Sequence, residues 1–367
     1  MSEQHPSKLS RRNFIRKSVE TVGVAAIGNE LVSYAQSAPT QSAPIQSARG
    51  LRVIAIEEAF SVPGVTPPLN KNTIPLRDDV FNDWTTRLAD VADIRLADMN
   101  ANGVAMQVLS LTMGVEIITD PVQAVAVAQQ VNNYLAAAVA AHPNRFAGFA
   151  ALPLQDPEAS VTELRRCVNQ LGFKGVLHNS HVLGHYLDEP QFQPVWAELE
   201  SLGVPLYLHP AMVPAEIIQE YNGQPVISGP TWGWTAATGA HGLRLIYGGV
   251  FDQFPGVSVI MGHMGELLPL QMSRLDSRYF IVPTNSRPAN PPSYYLRNNI
   301  YVTTSGFYSP STLQAAISAV GIDRVLFAID YPYELSASAV QFLTTAPLAH
   351  SDLQMIAHSN AERILNL

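Results

Sequence analysis

The sequence predicts an α/β protein: one catalytic (β/α)8 TIM-like barrel behind a leader. Three observations carry that expectation. Eight apolar runs of strand length recur along residues 51–329, and segments with helical spacing separate them. The competing open, doubly wound sheet should offer a glycine-rich phosphate loop after an early strand, and none is present.

In chain order the leader comes first. Ser10-Arg11-Arg12-Asn13-Phe14-Ile15-Arg16-Lys17 resembles the twin-arginine export motif, with a modest apolar segment and small residues around Ser33-Tyr34-Ala35 behind it. Gly28, Asn29 and Glu30 interrupt that segment, so no membrane anchor is expected. Residues 1–38 therefore read as a signal peptide and 39–50, built from Gln, Ser, Ala and Pro, as a linker; the catalytic domain is 51–367. The precursor's expected partner is the twin-arginine export machinery, and the expected destination is the periplasm.

The strands are read at 51–56, 104–111, 146–152, 174–177, 205–208, 257–261, 300–304 and 325–329. The last, Val325 to Ile329, is a near-continuous apolar run of the kind that parallel strands covered on both faces require. Helical segments are read at 90–102, 121–141, 157–171, 191–202, 235–254, 266–279 and 310–320. Leu88, Val91, Leu96 and Met99 show the spacing of three to five residues that gives one apolar face, and Gly103 supplies a stop.

Composition narrows the function. Hydrophobic residues make up 47% of the chain, enough for a large core, whereas only 14% are charged and the net charge is −8. That balance argues against a nucleic-acid surface, which would need clustered Lys and Arg. The leader holds five basic residues against three acidic ones, so the mature chain is near −10. Cys167 is the only cysteine, which excludes an intrachain disulfide and a cysteine-based zinc site. A small-molecule ligand is the remaining expectation.

The strand ends give the chemistry. The first runs into Glu57-Glu58, the fifth into His209, the sixth into His263 with Glu266 a turn later, and the eighth into Asp330. In a barrel these ends meet at one mouth. Glu57, His209 and Asp330 would offer one divalent ion, zinc or manganese, mixed nitrogen and oxygen ligation with positions left open. His263 reads either as a further ligand or as a general acid/base oriented by Glu266. His178, His181 and His185 follow the fourth strand on the same rim, and His178 is a candidate for substrate contact. His241, in an apolar helix, reads as a buried hydrogen-bonded residue.

With those residues in place, the chain from Val53 onward resembles the amidohydrolase superfamily branch that contains the metal-dependent decarboxylases of γ-resorcylate, 2,3-dihydroxybenzoate and 5-carboxyvanillate. The resemblance rests on IAIEEAF at 54–60, RLADMNANGV at 95–104, FAALPLQDPEAS at 149–160, LYLHP at 206–210, GPTWGW at 229–234, GHMGELLP at 262–269, TTSGF at 303–307 and DYPYE at 330–334. It implies that Glu57, His209 and Asp330 hold the metal, that His263 is catalytic with Glu266 behind it, that Arg274 lies near substrate, and that the protein is a homodimer or homotetramer. Ala59 stands where many members place a histidine, which implies one protein ligand fewer. No lysine ends the fourth strand, since Lys174 stands at its start, which implies one metal ion rather than two.

The reaction expected is loss of CO2 from a hydroxylated aromatic acid. Protonation of the ring carbon that carries the carboxylate lets the C–C electrons return to the ring, and an ortho hydroxyl supplies the push. Asp330 is the expected proton donor, with His263 assisting. Phe60, Trp232, Trp234 and Phe307 are candidate walls for the ring, with plain core packing as the alternative for each. Two other functions remain open: a metal-dependent hydrolase of a lactone or other cyclic ester or amide, and an exported, non-catalytic binding protein.

Overall fold

Eight parallel strands follow one another in chain order: β1 (Ile54–Phe60), β2 (Met106–Leu111), β3 (Phe146–Gly148), β4 (Val176–Asn179), β5 (Leu206–His209), β6 (Val259–Met261), β7 (Ile300–Thr303) and β8 (Val325–Leu326). They belong to a computed structural model that describes residues 50–70, 75–211 and 213–367. The expected signal peptide, and the expected linker up to Arg49, lie outside the described residues. Strands β1 to β3 pair in parallel, as do β4 to β8. Two seams close the ring. Ala150 bridges Val176 between β3 and β4, and the Ala59 N–H donates to the Tyr331 carbonyl at 2.7 Å, joining β1 to the chain beyond β8. The architecture is the expected (β/α)8 barrel.

The last strand is shorter than its apolar run. Ladder pairing ends at Leu326 because the next amides find other partners: Phe327 N–H donates to the Ile356 carbonyl, Ala328 N–H to Thr304 Oγ1, and Ile329 N–H to the Glu58 carboxylate. An apolar run reports burial, and here burial continues where strand pairing does not.

Around the barrel stand α1 (Asp78–Ala89), α2 (Asp93–Asn102), α3 (Pro121–Ala141), α4 (Pro157–Asn169), α5 (Gln193–Leu202), α6 (Gly233–Tyr247), α7 (Leu268–Tyr279), α8 (Pro310–Val320) and α9 (Ser336–Thr345). Helices α3 and α4 start with proline behind an aspartate cap, Asp120 accepting from the Val122 N–H and Asp156 from the Ala159 N–H. The helix read at 235–254 ends instead at Tyr247 and resumes at Val250, after Gly249 takes a φ of 75°. Among the described residues no helix is long and apolar enough to cross a membrane.

Strand alternation sorts the core into two layers. Ile54, Ile56, Val108, Phe149, Leu177, Tyr207, Ile260 and Leu326 fill the barrel interior. Val53, Ala55, Leu109, Val176, Leu208, Val259 and Val302 face the helices. The interior is packed, so a ligand is confined to the strand ends.

Candidate metal centre

A bulge decides which of two adjacent glutamates reaches the barrel mouth. Ala55 pairs with Gln107 and Glu58 with Leu109, so Ile56 and Glu57 share the single partner position of Val108. Strict alternation from Ile54 and Ile56 would have sent Glu58 inward. The extra residue turns Glu57 inward and Glu58 outward. Glu57 Oε2 accepts from the Tyr207 hydroxyl and from Thr303 Oγ1, the latter at 3.0 Å, while Oε1, equally buried, has no hydrogen-bond partner.

His209 ends β5 and is oriented from behind. Asn179 Nδ2 donates to Glu116 Oε1 at 2.8 Å, which leaves Asn179 Oδ1 facing His209 Nδ1 at 2.9 Å. The imidazole therefore carries its proton on Nδ1, and Nε2 presents a lone pair 3.4 Å from Glu57 Oε1 and 4.0 Å from Asp330 Oδ1. Burial lowers the His209 pKa to about 4, so the neutral, ligating form prevails at neutral pH.

His263 sits in a left-handed turn. His263, Met264, Gly265, Glu266 and Leu267 all have positive φ, and for this reason the helix read at 266–279 starts only at Leu268. The turn brings Glu266 Oε1 to 2.7 Å from His263 Nδ1, while His263 N–H donates to Ser305 Oγ. His263 Nε2 lies 3.5 Å from both Glu57 Oε1 and Asp330 Oδ2. Burial opposes a charge on this ring, yet the carboxylates of Glu266, Glu57 and Asp330 hold its pKa well above the usual value. Gly262 precedes the turn because a Cβ there would stand 2.9 Å from Glu57 Oε1. Asp330, with φ 73°, completes the group; burial raises its pKa and the charge of Glu57 adds to the rise.

These residues fit a divalent cation. Donor atoms of Glu57, His263 and Asp330 lie within 4.8 Å of one another. His209 Nε2 points at the same unpartnered Glu57 oxygen, and the cavity bounded by Glu57, His209, Asn179 and Asp330 measures about 10 Å³, close to one water-sized sphere. Two carboxylates with imidazole nitrogen suit zinc or manganese.

Other expected residues are placed elsewhere. Phe60 falls on the outward side of β1 because of the bulge and stacks on Tyr134 at 6.1 Å. His178 also faces outward, its Nδ1 3.9 Å from Glu116 Oε1; Leu177 and Asn179 take the inward positions on β4. Trp232 is 50% exposed just before α6, Phe307 packs half-buried on the outer layer, and Arg274 is exposed on α7. None of these five bounds the cavity. His241 is buried and accepts from the Leu187 N–H, as read. Sequence reasoning missed Tyr207, Thr303, Ser305, Asn179 and Glu116. Tyr207 and Asn179 carried a signal: each shares strand parity with an inward residue, His209 and Leu177 respectively.

Comparison with known proteins identifies the family. A family model described as amidohydrolase matches residues 67–367. The chain belongs to the amidohydrolase family. Within the amidohydrolase family it is 38% identical over 329 residues to a γ-resorcylate decarboxylase of Rhizobium sp. strain MTP-10005, covering 86% of this chain and 98% of that protein. A crystal structure of 2,6-dihydroxybenzoate decarboxylase complexed with 2,6-dihydroxybenzoate superposes with a TM-score of 0.82 at 37% identity, covering 86% of this chain and all of that one (100%). A dihydroxybenzoic acid decarboxylase from Polaromonas sp. JS666, solved with bound manganese and the inhibitor 2-nitroresorcinol, superposes with a TM-score of 0.82 at 36% identity, over 86% of this chain and 97% of that one.

Proposed function

We propose that this amidohydrolase-family chain is a metal-dependent, non-oxidative decarboxylase of a hydroxylated aromatic carboxylic acid, a carboxy-lyase holding one divalent ion. The observation that carries the reading is the bare, buried Glu57 Oε1 facing His209, His263 and Asp330, in a chain similar over nearly their whole length to decarboxylases of such acids. Glu57, His209 and Asp330 would hold the ion, with His263 Nε2 close enough to join them or to act beside them. The ion would bind and polarise the oxygens of the substrate. Zinc and manganese both suit the donors, and the manganese-bound relative favours manganese.

Asp330 is the proposed proton source. Asp330 stands among the proposed ligands, where it would lie beside the ring carbon of a substrate held on the ion, and, without an ion, burial raises its pKa. As the proton arrives at that carbon, the C–COO⁻ bond breaks, its electron pair stays with the ring, and CO2 leaves. His263, held between Glu266 and Asp330, would steady the resulting Asp330 carboxylate until solvent returns the proton.

The test is metal content of the purified mature protein by mass spectrometry, followed by a CO2-release screen over ortho-hydroxybenzoic acids. About one ion per chain with CO2 evolved is expected; metal without CO2 would favour the hydrolase of a lactone or cyclic amide, and no metal would favour the binding protein. We also propose that the precursor is exported by the twin-arginine machinery to the periplasm and that the mature protein is a homodimer or homotetramer. Replacing Arg11 and Arg12 by lysine should retain the precursor in the cytoplasm, and light scattering should give the mass of two or four chains.

A further inference from the structure

The bulge that turns Glu57 inward leaves Glu58 facing outward and fully buried, with no part in the metal cavity. Apart from a long 3.4 Å bond from the neighbouring Glu57 N–H, its carboxyl group reaches across the seam to one short stretch. Glu58 Oε1 accepts from the Ile329 N–H at 3.0 Å and Oε2 from the Tyr331 N–H at 3.2 Å, the two amides on either side of Asp330. The ladder of β8 has already ended at Leu326, so these bonds replace strand pairing where the barrel closes. Asp330 itself has φ 73°, a conformation that a non-glycine residue holds only where its surroundings impose it.

The rest of the seam has the same effect. Ala59 N–H donates to the Tyr331 carbonyl at 2.7 Å, and the Tyr308 hydroxyl donates to the Ile329 carbonyl at 2.7 Å. The Asp330 carbonyl accepts from the N–H of Tyr333 and of Glu334. Arg95, also fully buried, ties the Glu58 side of the seam by donating to the Ala59 carbonyl at 2.6 Å, and its guanidinium lies 4.5 Å from the centre of the Tyr331 ring.

We propose that Glu58 is a positioning residue for Asp330: its two oxygens clamp the amides that flank Asp330, fix the left-handed turn there, and so aim the Asp330 carboxyl at Glu57 and His263. This rests on the proposed function for its catalytic consequence, but its effect on metal binding is independent of the substrate. One consequence concerns the tandem glutamates at the end of β1. Glu57 faces the ion, and Glu58 holds the ligand that comes from the opposite side of the seam.

The experiment uses the full mature chain with Glu58→Gln, which is isosteric but turns one acceptor oxygen into a donor facing a backbone N–H. Glu58→Asp, one methylene shorter, keeps the carboxyl group and loses the reach, and Val325→Ala weakens the same strand without touching the clamp. Manganese affinity is read by electron paramagnetic resonance and turnover by CO2 release, each per folded molecule from circular dichroism. Glu58→Gln should weaken manganese binding and lower kcat by roughly ten- to hundredfold with KM nearly unchanged, while Val325→Ala leaves both at the wild-type level. Glu58→Asp should fall between.

Wild-type affinity and kcat in folded Glu58→Gln would overturn the clamp, as would equal losses in Val325→Ala. If neither Glu58 variant folds, Glu58 is a requirement of the fold and the positioning role is refuted. If the wild type releases no CO2 from any acid, the decarboxylase reading fails, and the manganese affinities alone still decide the clamp.

Discussion

Gly262→Ala tests how tightly the centre is built. The new Cβ would stand 2.9 Å from Glu57 Oε1 and 3.2 Å from the Tyr207 hydroxyl. An ordinary carbon–oxygen contact is roughly 3.4 Å, so the carboxylate must retreat by about 0.5 Å. It has little freedom to do so, because Tyr207 and Thr303 hold its other oxygen. A displacement of about 0.5 Å is at the tolerance of a preorganised site, and disturbing the support of a ligand typically costs roughly ten- to hundredfold in metal affinity. Overpacking should also cost the fold about 1–3 kcal/mol. The assay is a manganese titration followed by electron paramagnetic resonance, with thermal unfolding of the metal-free protein in parallel. Wild-type affinity with an unchanged unfolding temperature would show that Glu57 is not pinned, and the proposed ligand geometry would fall with it.

Three further outcomes are expected. Asp330→Asn removes the acid while keeping the shape, so kcat should fall by roughly 10²- to 10⁴-fold with weaker metal retention and an intact far-ultraviolet spectrum; wild-type turnover would refute Asp330 as donor. Asn179→Leu takes away the acceptor that fixes the His209 tautomer, and manganese affinity should drop roughly ten- to hundredfold, read by the same titration. Burial holds His178 at a pKa of about 4, so between the usual histidine value and pH 4 the unfolded chain binds the proton that the folded chain refuses, and stability falls as pH falls through that window. His178→Gln should remove roughly 3 kcal/mol of that loss at pH 4. Urea denaturation of both proteins at pH 7 and pH 4 would show it, and parallel pH dependences would refute it.

The strands were legible because burial leaves a compositional trace, and the ligands because polar residues interrupt apolar runs at the same ends. Glu57, His209, His263 and Asp330 all came from that pattern, and the structure brings all four together. What escaped depended on backbone geometry. A one-residue bulge in β1 reversed the faces of Glu57, Glu58 and Phe60, and no periodicity announces it. The ring of Phe60, read as a wall for substrate, was sent to the outer layer by that same shift. On β4, alternation alone would have preferred Asn179 to His178, since Leu177 faces the interior; histidine's familiar chemistry outweighed a simple parity rule.

Backbone strain links the parts of the centre. The described non-glycine residues with positive φ include His263, Met264, Glu266, Leu267 and Asp330, five positions at the ends of β6 and β8. Each left-handed L-residue costs roughly 1–2 kcal/mol, so the turn at 263–267 is unfavourable by itself. It persists because its surroundings define it from several sides. Ser305 Oγ accepts the His263 amide, Glu266 binds the imidazole, and Gly265 fits against Val302 where a Cβ would come within 2.7 Å. Asp330 is defined in the same way by Glu58. Both strained segments therefore depend on partners from other strands, β7 for one and β1 for the other. The centre is consequently coupled to closure of the barrel. Loosening either seam should weaken the metal before it unfolds the chain, because the local geometry has the least to lose by relaxing.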